Sequence, residues 1–451
     1  MAESIAGARA MAWDVLCRVD ETDAFADVLL GHRLKHSRLE RRDHALSTQL
    51  VYGTLAWRGF LDHAIEVCAR RPAASIEPPI RALLELSLFQ LFKLERVPSY
   101  AVVNSAVEIA KTHKGGRAAG FVNAVLRRAC ALGESGVPLP DRGGDVAAHL
   151  SLRHSHPRWL VERWLREWGE AETEALLAAD NAPAPTSLRV NRRRAERAEV
   201  VDRLRAGGHD VHASELAPDA ILLASGSPLD LEEVAAGLVS VQAEASQLVV
   251  SMLDPHPGER ILDACAGSGG KTTYIAELMD DRGTVTGFDL HRHSLQRLRE
   301  ESRRLGLVSV APVQADCRRP PVASGALFDR ILLDAPCSGL GTLRQHPEIR
   351  WRRRDADIRA SAAVQGEMLS VALDLLRPGG VLVYAVCTLT REENDDVVDR
   401  VLECRADIVR ETQRENLPPA VRDVAGEDGI LRTAPHRAGL DGFFAVRLKR
   451  V

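Results

Sequence analysis

The sequence predicts an α/β protein, a doubly wound parallel sheet in its C-terminal half, preceded by an all-helical bundle and a small α+β insert. Three observations carry this. From about Gly237 onward, short apolar runs alternate with helical patterns, which means parallel strands wrapped by helices on both faces. The first ~130 residues instead show only the helical apolar period of about 3.6 residues. Between these regions, Ala131 to about Val146 is rich in Gly and Pro, as linkers are. With 451 residues the chain exceeds one ordinary core. The expected domains are a helical bundle over 1–135, an α+β subdomain over 147–236 and the sheet domain over 237–451.

Each element has its own warrant. Ala12, Val15, Leu16 and Val19 mark a first apolar helix face, and Leu83, Leu84, Leu86, Leu88, Leu91 and Phe92 mark another. Pro98 should end that helix and Ser99 cap the next, which carries Val102, Val103, Ala106, Val107 and Ala110. Gly115-Gly116 breaks the run before a last helix around Phe121 to Arg128. Beyond the linker, helices over Pro157–Trp168 and Ala171–Asp180 lead to a strand at Ser187–Val190. A helix at Ala195–Ala206 and a strand at Ala220–Leu223 complete the insert. The sheet strands are Arg260–Ala264, Thr284–Asp289, Val308–Gln314, Asp329–Asp334 and Val381–Val386. Helices at Lys271–Met279, Ser294–Leu305 and Asp355–Leu376 fill the intervals.

Bulk properties exclude several classes. No apolar run reaches the roughly 18–20 residues of a membrane span, and the N-terminus lacks the layout of a secretory signal. A cytoplasmic protein, monomeric and away from membranes, is expected. The eight cysteines form no C-x-x-C pair and are scattered, which argues against a disulfide framework or a zinc site; no metal is expected. A net charge of −4 means that any nucleic-acid contact must come from local patches. Two are visible: Arg189, Arg192, Arg193, Arg194 and Arg197, then Arg350, Arg352, Arg353 and Arg354, where Trp351 could stack on a base.

The first sheet strand leads into Asp263-Ala264-Cys265-Ala266-Gly267-Ser268-Gly269-Gly270-Lys271-Thr272. Glycines at such a turn let a ligand approach backbone N–H groups at a helix start. A P-loop would need Gly at 265, where the chain has Cys265, and a dinucleotide fingerprint would need Gly where it has Thr272. A nucleoside cofactor without pyrophosphate needs only room and an acid. Asp289 ends the second strand, placed for ribose hydroxyls; Asp316, after the third, could reach an adenine amino group, and Asp334 ends the fourth.

Cys337 follows the fourth strand and Cys387 the fifth, expected neighbours in a doubly wound sheet. Two thiols in one cleft suit methylation at carbon 5 of cytosine. A thiolate adding to carbon 6 makes carbon 5 nucleophilic toward a methyl donor, and the carbon-5 proton must leave before the thiol is expelled. A carboxylate such as Asp334 can meet the amino edge and N3 of the base.

Ser240 to Asn394 resembles the RNA (cytosine-5-) methyltransferases of the RsmB/Sun and NOL1/NOP2 type. The marks are Gln242-Ala243-Glu244-Ala245-Ser246, the Asp263–Thr272 turn, Asp334-Ala335-Pro336-Cys337-Ser338-Gly339 and Tyr384 to Cys387. His346-Pro347-Glu348-Ile349-Arg350-Trp351, Glu392-Glu393-Asn394 and Asp441-Gly442-Phe443-Phe444 add to them. The helical segment resembles the NusB-like RNA-binding fold through Leu50-Val51-Tyr52-Gly53-Thr54, Ala101-Val102-Val103-Asn104 and Phe121-Val122-Asn123-Ala124-Val125-Leu126-Arg127.

This resemblance implies a Rossmann-like class I methyltransferase fold and S-adenosyl-L-methionine as cofactor. The implied cofactor and target-base site is Cys265, Ala266, Gly267, Ser268, Gly269, Gly270, Lys271, Asp289, Asp316 and Asp334. It implies Cys387 as nucleophile, Cys337 as the thiol assisting release, and small-subunit ribosomal RNA or its assembly intermediate as partner. The chain departs from the family at three places. Gly267-Ser268 stands where Ala-Pro is usual, Ala243 where Asp is usual, and Val386 where Thr is usual. The last change would remove a hydroxyl from the edge of the active site.

Overall fold

Helical periodicity in the N-terminal sequence becomes, among the described residues, eight α-helices, α1 (Ala2–Glu21), α2 (Ala26–Lys35), α3 (Arg41–Ala69), α4 (Pro78–Lys93), α5 (Ser99–Thr112), α6 (Ala119–Leu132), α7 (Val146–Arg153) and α8 (Arg158–Asp180). The computed structural model describes residues 2–22, 24–323, 325 and 327–451. It divides into two units: Met1–Pro183 with Leu343–Arg352, and Ala184–Thr342 with Arg353–Val451.

In the first unit Val15, Leu16, Leu50, Leu55, Leu61, Ile65, Leu84, Leu88 and Leu126 are fully buried in one core. Two expectations change in detail. Helix α4 ends at Lys93, ahead of Pro98, and Ser99 is the first residue of α5; Pro98 occupies the cap position. The two helices expected over 157–180 are one helix, interrupted by the left-handed Gly169 (φ 75°). The Gly/Pro-rich stretch is packed chain. Its Val137 lies in the helical core, and Asp145 caps α7 by accepting from Ala148 N at 2.9 Å.

The same unit takes in Leu343–Arg352, including α14 (Ile349–Arg352). Arg350 is fully buried and donates to the carbonyls of Ala56 (3.2 Å), Ser155 (3.1 Å) and Asp180 (3.3 Å) and to Asn181 Oδ1 (2.8 Å). Arg352 donates to Val19 O and Ala24 O, Trp351 Nε1 to Leu55 O, and Glu348 accepts from Ala26 N at the start of α2. For Arg350, Trp351 and Arg352 this corrects the reading of the second arginine cluster as an RNA face; Arg354 stays exposed. Orphan groups at helix ends need partners, and this segment supplies them for Val19 O, Ala26 N and Asp180 O. Trp351 is spent on packing.

The second unit starts with a small sheet: β1 (Thr186–Val190), β2 (Val211–Ala213), β3 (Ala220–Leu223) and β4 (Val239–Val241), in the order β2-β3-β1-β4. Helices α9 (Arg197–Ala206) and α10 (Glu232–Ala235) lie between its strands in the sequence. Arg189, expected at an RNA surface, is instead fully buried. It pairs with Glu277 at 2.9 Å and donates to Gln242 Oε1 (2.6 Å) and Gly270 O (2.8 Å). A guanidinium enters a core only with such a set of acceptors. Arg193, Arg194 and Arg197 also donate to backbone carbonyls, while Arg192, Arg193 and Arg194 stay exposed.

The main sheet follows α11 (Glu244–Leu253). Its first half is β5 (Arg260–Asp263), α12 (Gly270–Leu278), β6 (Thr284–Asp289), α13 (Arg292–Leu305), β7 (Val310–Gln314) and β8 (Phe328–Asp334). Its second half is α15 (Asp355–Asp374), β9 (Leu376–Val386), α16 (Asp395–Leu402), β10 (Ile408–Arg410), α17 (Pro419–Arg422), β11 (Leu431–Arg432), α18 (Pro435–Ala438) and β12 (Phe444–Arg450). The strand order is β10-β12-β9-β8-β5-β6-β7, with β11 paired to β12. Strands β5 to β9 are parallel, whereas β12 runs antiparallel against β9, with Phe444 opposite Val386. The chain winds one way from β5 through β6 to β7, then returns to place β8 on the other side of β5. That reversal opens a crevice at the carboxyl ends of β5 and β8, where open α/β sheets bind ligands.

Candidate active site

The turn after β5 holds Gly267 and Gly269 at positive φ (54° and 96°). Gly269 is required by packing, since a Cβ there would lie 2.3 Å from Leu298 of α13. At Gly267 a Cβ would meet nothing, so the backbone is open on that side. Asp289, at the end of β6, reaches back to the turn: one carboxylate oxygen accepts from Gly267 N at 3.0 Å, the other from His291 N at 2.7 Å. Leu290 beside it is 55% exposed, an apolar surface at the rim. An open glycine backbone, a strand-end carboxylate and an apolar rim fit a nucleoside. A sequence signal for Leu290 existed, an apolar residue directly after a strand-end acid.

Lys271, near the start of α12, pairs with Asp334 at the end of β8, Nζ to Oδ2 2.6 Å. Burial works against the ammonium, but Asp334 more than offsets it, and Lys271 is held above its ordinary value. A lysine so committed is not free to bind phosphates as a P-loop lysine must, which counts against a nucleotide hydrolase. Cys265 lies among these acids; burial first, then Cys317, Asp263, Asp334 and Asp289, pushes its thiol well up. Asp263 is buried below the turn, with Thr272 Oγ1 donating at 2.7 Å, and burial raises its carboxyl to about 6. Asp316, after β7, is half-buried. It is ion-paired with Arg318 at 2.8 Å, beside a cavity of about 870 Å³ that none of the three candidate cysteines lines.

Strands β8 and β9 are neighbours, as expected, and the two cysteines that follow them meet. Cys337 Sγ and Cys387 Sγ are 3.3 Å apart. Contact with Cys387 and burial hold the Cys337 thiol well above its ordinary value. Val386 corrects another expectation: it is fully buried among Ala335, Phe444 and Val398, so its side chain belongs to the core and not to the active-site edge. The hydroxyl near the cysteines comes from Thr388, 2.8 Å from Ser338 Oγ. Backbone closes the site on the far side. Gly341 N donates to Cys387 O (3.0 Å), and Gly442 N to Gly341 O (2.7 Å). A Cβ on Gly341 would lie 1.9 Å from Gly442 O, which gives the Asp441-Gly442-Phe443-Phe444 ending its place.

The comparisons with known proteins give the family. Three family descriptions match: "16S rRNA methyltransferase RsmB/F" over residues 250–449, NusB over 6–130, and an RsmF/B-like ferredoxin-like domain over 156–230. A probable ribosomal RNA small subunit methyltransferase B of Bacillus subtilis is 37% identical across 98% of both chains. The chain belongs to the RsmB/F methyltransferase family. Another RsmB/F relative, ribosomal RNA small subunit methyltransferase B of Pseudomonas syringae, is 35% identical over 96% of this chain and 97% of its own. Among solved structures, PH0851 is 27% identical with a TM-score of 0.84, covering 99% of both chains. A methyltransferase homologue from Pyrococcus horikoshii, also 27% identical, has a TM-score of 0.58 over 68% of this chain and 99% of its own. The NusB match lies within the helical first unit, and the methyltransferase match contains the Rossmann-like sheet of the second. Among the described residues no helix is long and apolar enough to cross a membrane.

Proposed function

We propose that this chain methylates carbon 5 of a cytosine in small-subunit (16S) ribosomal RNA through a covalent adduct on Cys387, and that it acts in the cytoplasm. The observation that carries the reading is the pair of thiols 3.3 Å apart at the ends of adjacent strands, beside the Lys271–Asp334 pair. S-adenosylmethionine, held by residues 265–271, Asp289, Asp316 and Asp334, would supply an electrophilic methyl group. Cys387 acts as thiolate and adds to carbon 6 of the base, so that the C5=C6 electron pair becomes available at carbon 5. Asp334 accepts from the amino group of the cytosine, and from N3 once addition at carbon 6 has made N3 basic enough to take up a proton from water, and Lys271 holds Asp334 for it. After methyl transfer the carbon-5 proton leaves to a base, the C5=C6 bond reforms and the Cys387 thiolate is expelled. Cys337 assists this release. Leu290 offers its apolar surface to the adenine. The helical unit and the small α+β sheet, each matched by its own family description, serve to bind the RNA.

The test is incubation of the full chain with radiolabelled S-adenosylmethionine and unmodified small-subunit ribosomal RNA, followed by identification of the labelled nucleoside. Label is expected in 5-methylcytosine and absent with Cys387→Ala. Label in another nucleoside overturns the carbon-5 chemistry, and transfer that survives Cys387→Ala overturns the choice of nucleophile. A chain that binds the RNA without binding the cofactor would be a non-catalytic assembly factor.

A further inference from the structure

Glu393 is fully buried, and no arginine or lysine pairs with it among the described ion pairs. A carboxylate placed this way must be compensated by hydrogen bonds, and four donors converge on it. Oε1 accepts from Ser338 N at 2.8 Å and Gln365 Nε2 at 3.1 Å; Oε2 accepts from Ser338 Oγ at 2.5 Å and Thr390 Oγ1 at 2.8 Å. The Glu393 carbonyl in turn accepts from Tyr384 OH of β9 at 2.7 Å. These donors come from three separate stretches of chain: the loop after β8, helix α15 and the turn after β9.

What they hold is the pair of cysteines. Both neighbours of Cys337 are fixed. Pro336 O accepts from Gln365 Nε2 at 2.9 Å, while Ser338 is bound to Glu393 through its N–H and hydroxyl and accepts from Arg353 Nε at its carbonyl (2.9 Å). On the other side, Thr388 directly follows Cys387. Its hydroxyl meets Ser338 Oγ at 2.8 Å and its carbonyl accepts from Asn394 Nδ2 at 3.3 Å. Cys337 and Cys387 therefore stand 3.3 Å apart because the residues around them are tied to one carboxylate.

We propose that Glu393 is a positioning residue of the reaction, whose buried carboxylate sets where the Cys337 thiol stands relative to Cys387. Glu393 touches no reacting atom and acts through Ser338, and through Ser338 on Thr388. The inference rests on the proposed division of labour, with Cys387 forming the adduct and Cys337 assisting its release. Disturbing Glu393 should thus slow release more than adduct formation. Geometry alone gives the scale, since a displacement of about 1 Å in a reacting group costs up to about 100-fold in rate.

The experiment compares wild type, Cys337→Ala, Glu393→Gln, Ser338→Ala and the double variant Glu393→Gln/Ser338→Ala. Unmodified small-subunit ribosomal RNA and S-adenosylmethionine are the substrates. The readouts are kcat, KM for each substrate, denaturant-resistant protein–RNA adduct on gels, and melting of the free protein. Glu393→Gln is expected to melt near wild type, to keep both KM values within about threefold, to lose about 10- to 100-fold in kcat and to accumulate adduct. Its loss should not add to that of Ser338→Ala, because both variants cut one linkage. Ser338→Ala leaves the charge in place, so it reads the same linkage should Glu393→Gln fail to fold. Wild-type turnover in Glu393→Gln, a loss confined to KM, or additive losses in the double variant would overturn the proposal. Failure of Cys337→Ala to accumulate adduct would instead count against the release role of Cys337; the Glu393 proposal is then judged on the kcat–KM split and on additivity.

Discussion

Two carboxylates are buried at the carboxyl edge of the catalytic sheet, and the structure treats them differently. Asp263, under the glycine turn, receives one strong bond from Thr272 and a long one of 3.4 Å from Cys265 N. Glu393, under the cysteine loop, receives four. The turn side is built from open backbone and strand-end acids, of which Asp289 and Asp316 remain partly open to solvent. The loop side is built from side chains locked to one another. A cofactor that must enter and leave suits the first construction. A pair of thiols that, on the proposed function, must keep its geometry through a covalent cycle suits the second.

The largest expected effect tests the under-satisfied member. Burial raises Asp263 from its ordinary 3.8 to about 6, so the folded state favours its neutral form. The resulting stability is fully present below about pH 4 and is lost as pH rises through about 6. The span is about 2 pH units, each worth about 1.4 kcal/mol, hence about 3 kcal/mol. Asp263→Asn should therefore gain on wild type by about that amount between pH 4 and pH 7.5. All six tryptophans lie within 1–183 or 343–352, so their fluorescence reports the other unit. Hydrogen exchange of the β5 and β8 amides is the suitable measure, and a difference that does not vary with pH would refute the assignment.

A smaller effect separates the two sides by function. In Asp289→Asn one amide group must face the N–H of Gly267 or of His291, and the charge offered to a ribose is gone. Hydrogen bonds to a charged group contribute about 1.5–3 kcal/mol, so affinity for S-adenosylmethionine should fall about 10- to 100-fold. Adduct formation at saturating cofactor should change little. Calorimetric titration with the cofactor reads the first quantity and adduct gels the second. Weakened adduct chemistry with intact cofactor affinity would erase the distinction between the sides.

How legible each side was follows from sequence distance. The turn could be read because its parts are contiguous, and because Asp289 and Asp334 sit at strand ends that the apolar runs mark. Strands β3 and β6 match their expected bounds residue for residue. The cysteine pair was legible once the β8–β9 adjacency was assumed from topology. The linkage around Glu393 was not, since its partners Ser338 and Gln365 lie 55 and 28 residues away and Glu392-Glu393-Asn394 stood in the sequence only as a mark of the resemblance. Arg189 and Arg350 misled for a related reason. Charge in a sequence reads as surface, and only the fold supplies Glu277, 88 residues on, or a set of carbonyl acceptors. Strand β12 escaped because Arg447, Lys449 and Arg450 break up its apolar run, and its place beside β9 is fixed only by long-range pairing.

The smallest effect concerns Ala243, whose departure from the family residue had no reading in the sequence. It occupies the N-cap of α11, with φ −60° and ψ 144° and no side-chain cap. Its carbonyl already accepts from Gln247 N at 3.1 Å, so the helix begins there with its first N–H groups lacking a cap. An aspartate side chain at this position can accept from one of them and complement the helix dipole. The neighbouring Gln242 is held by Arg189, which also holds Gly270 at the start of α12, so α11 and the cofactor turn share one anchor. Ala243→Asp should stabilise this unit by about 1 kcal/mol, read as slower exchange of the α11 amides, with methyl transfer unchanged. A loss of stability would mean that the carboxylate of Glu244 next to it opposes the new charge more strongly than the helix start attracts it, and that the family residue depends on a partner this chain lacks.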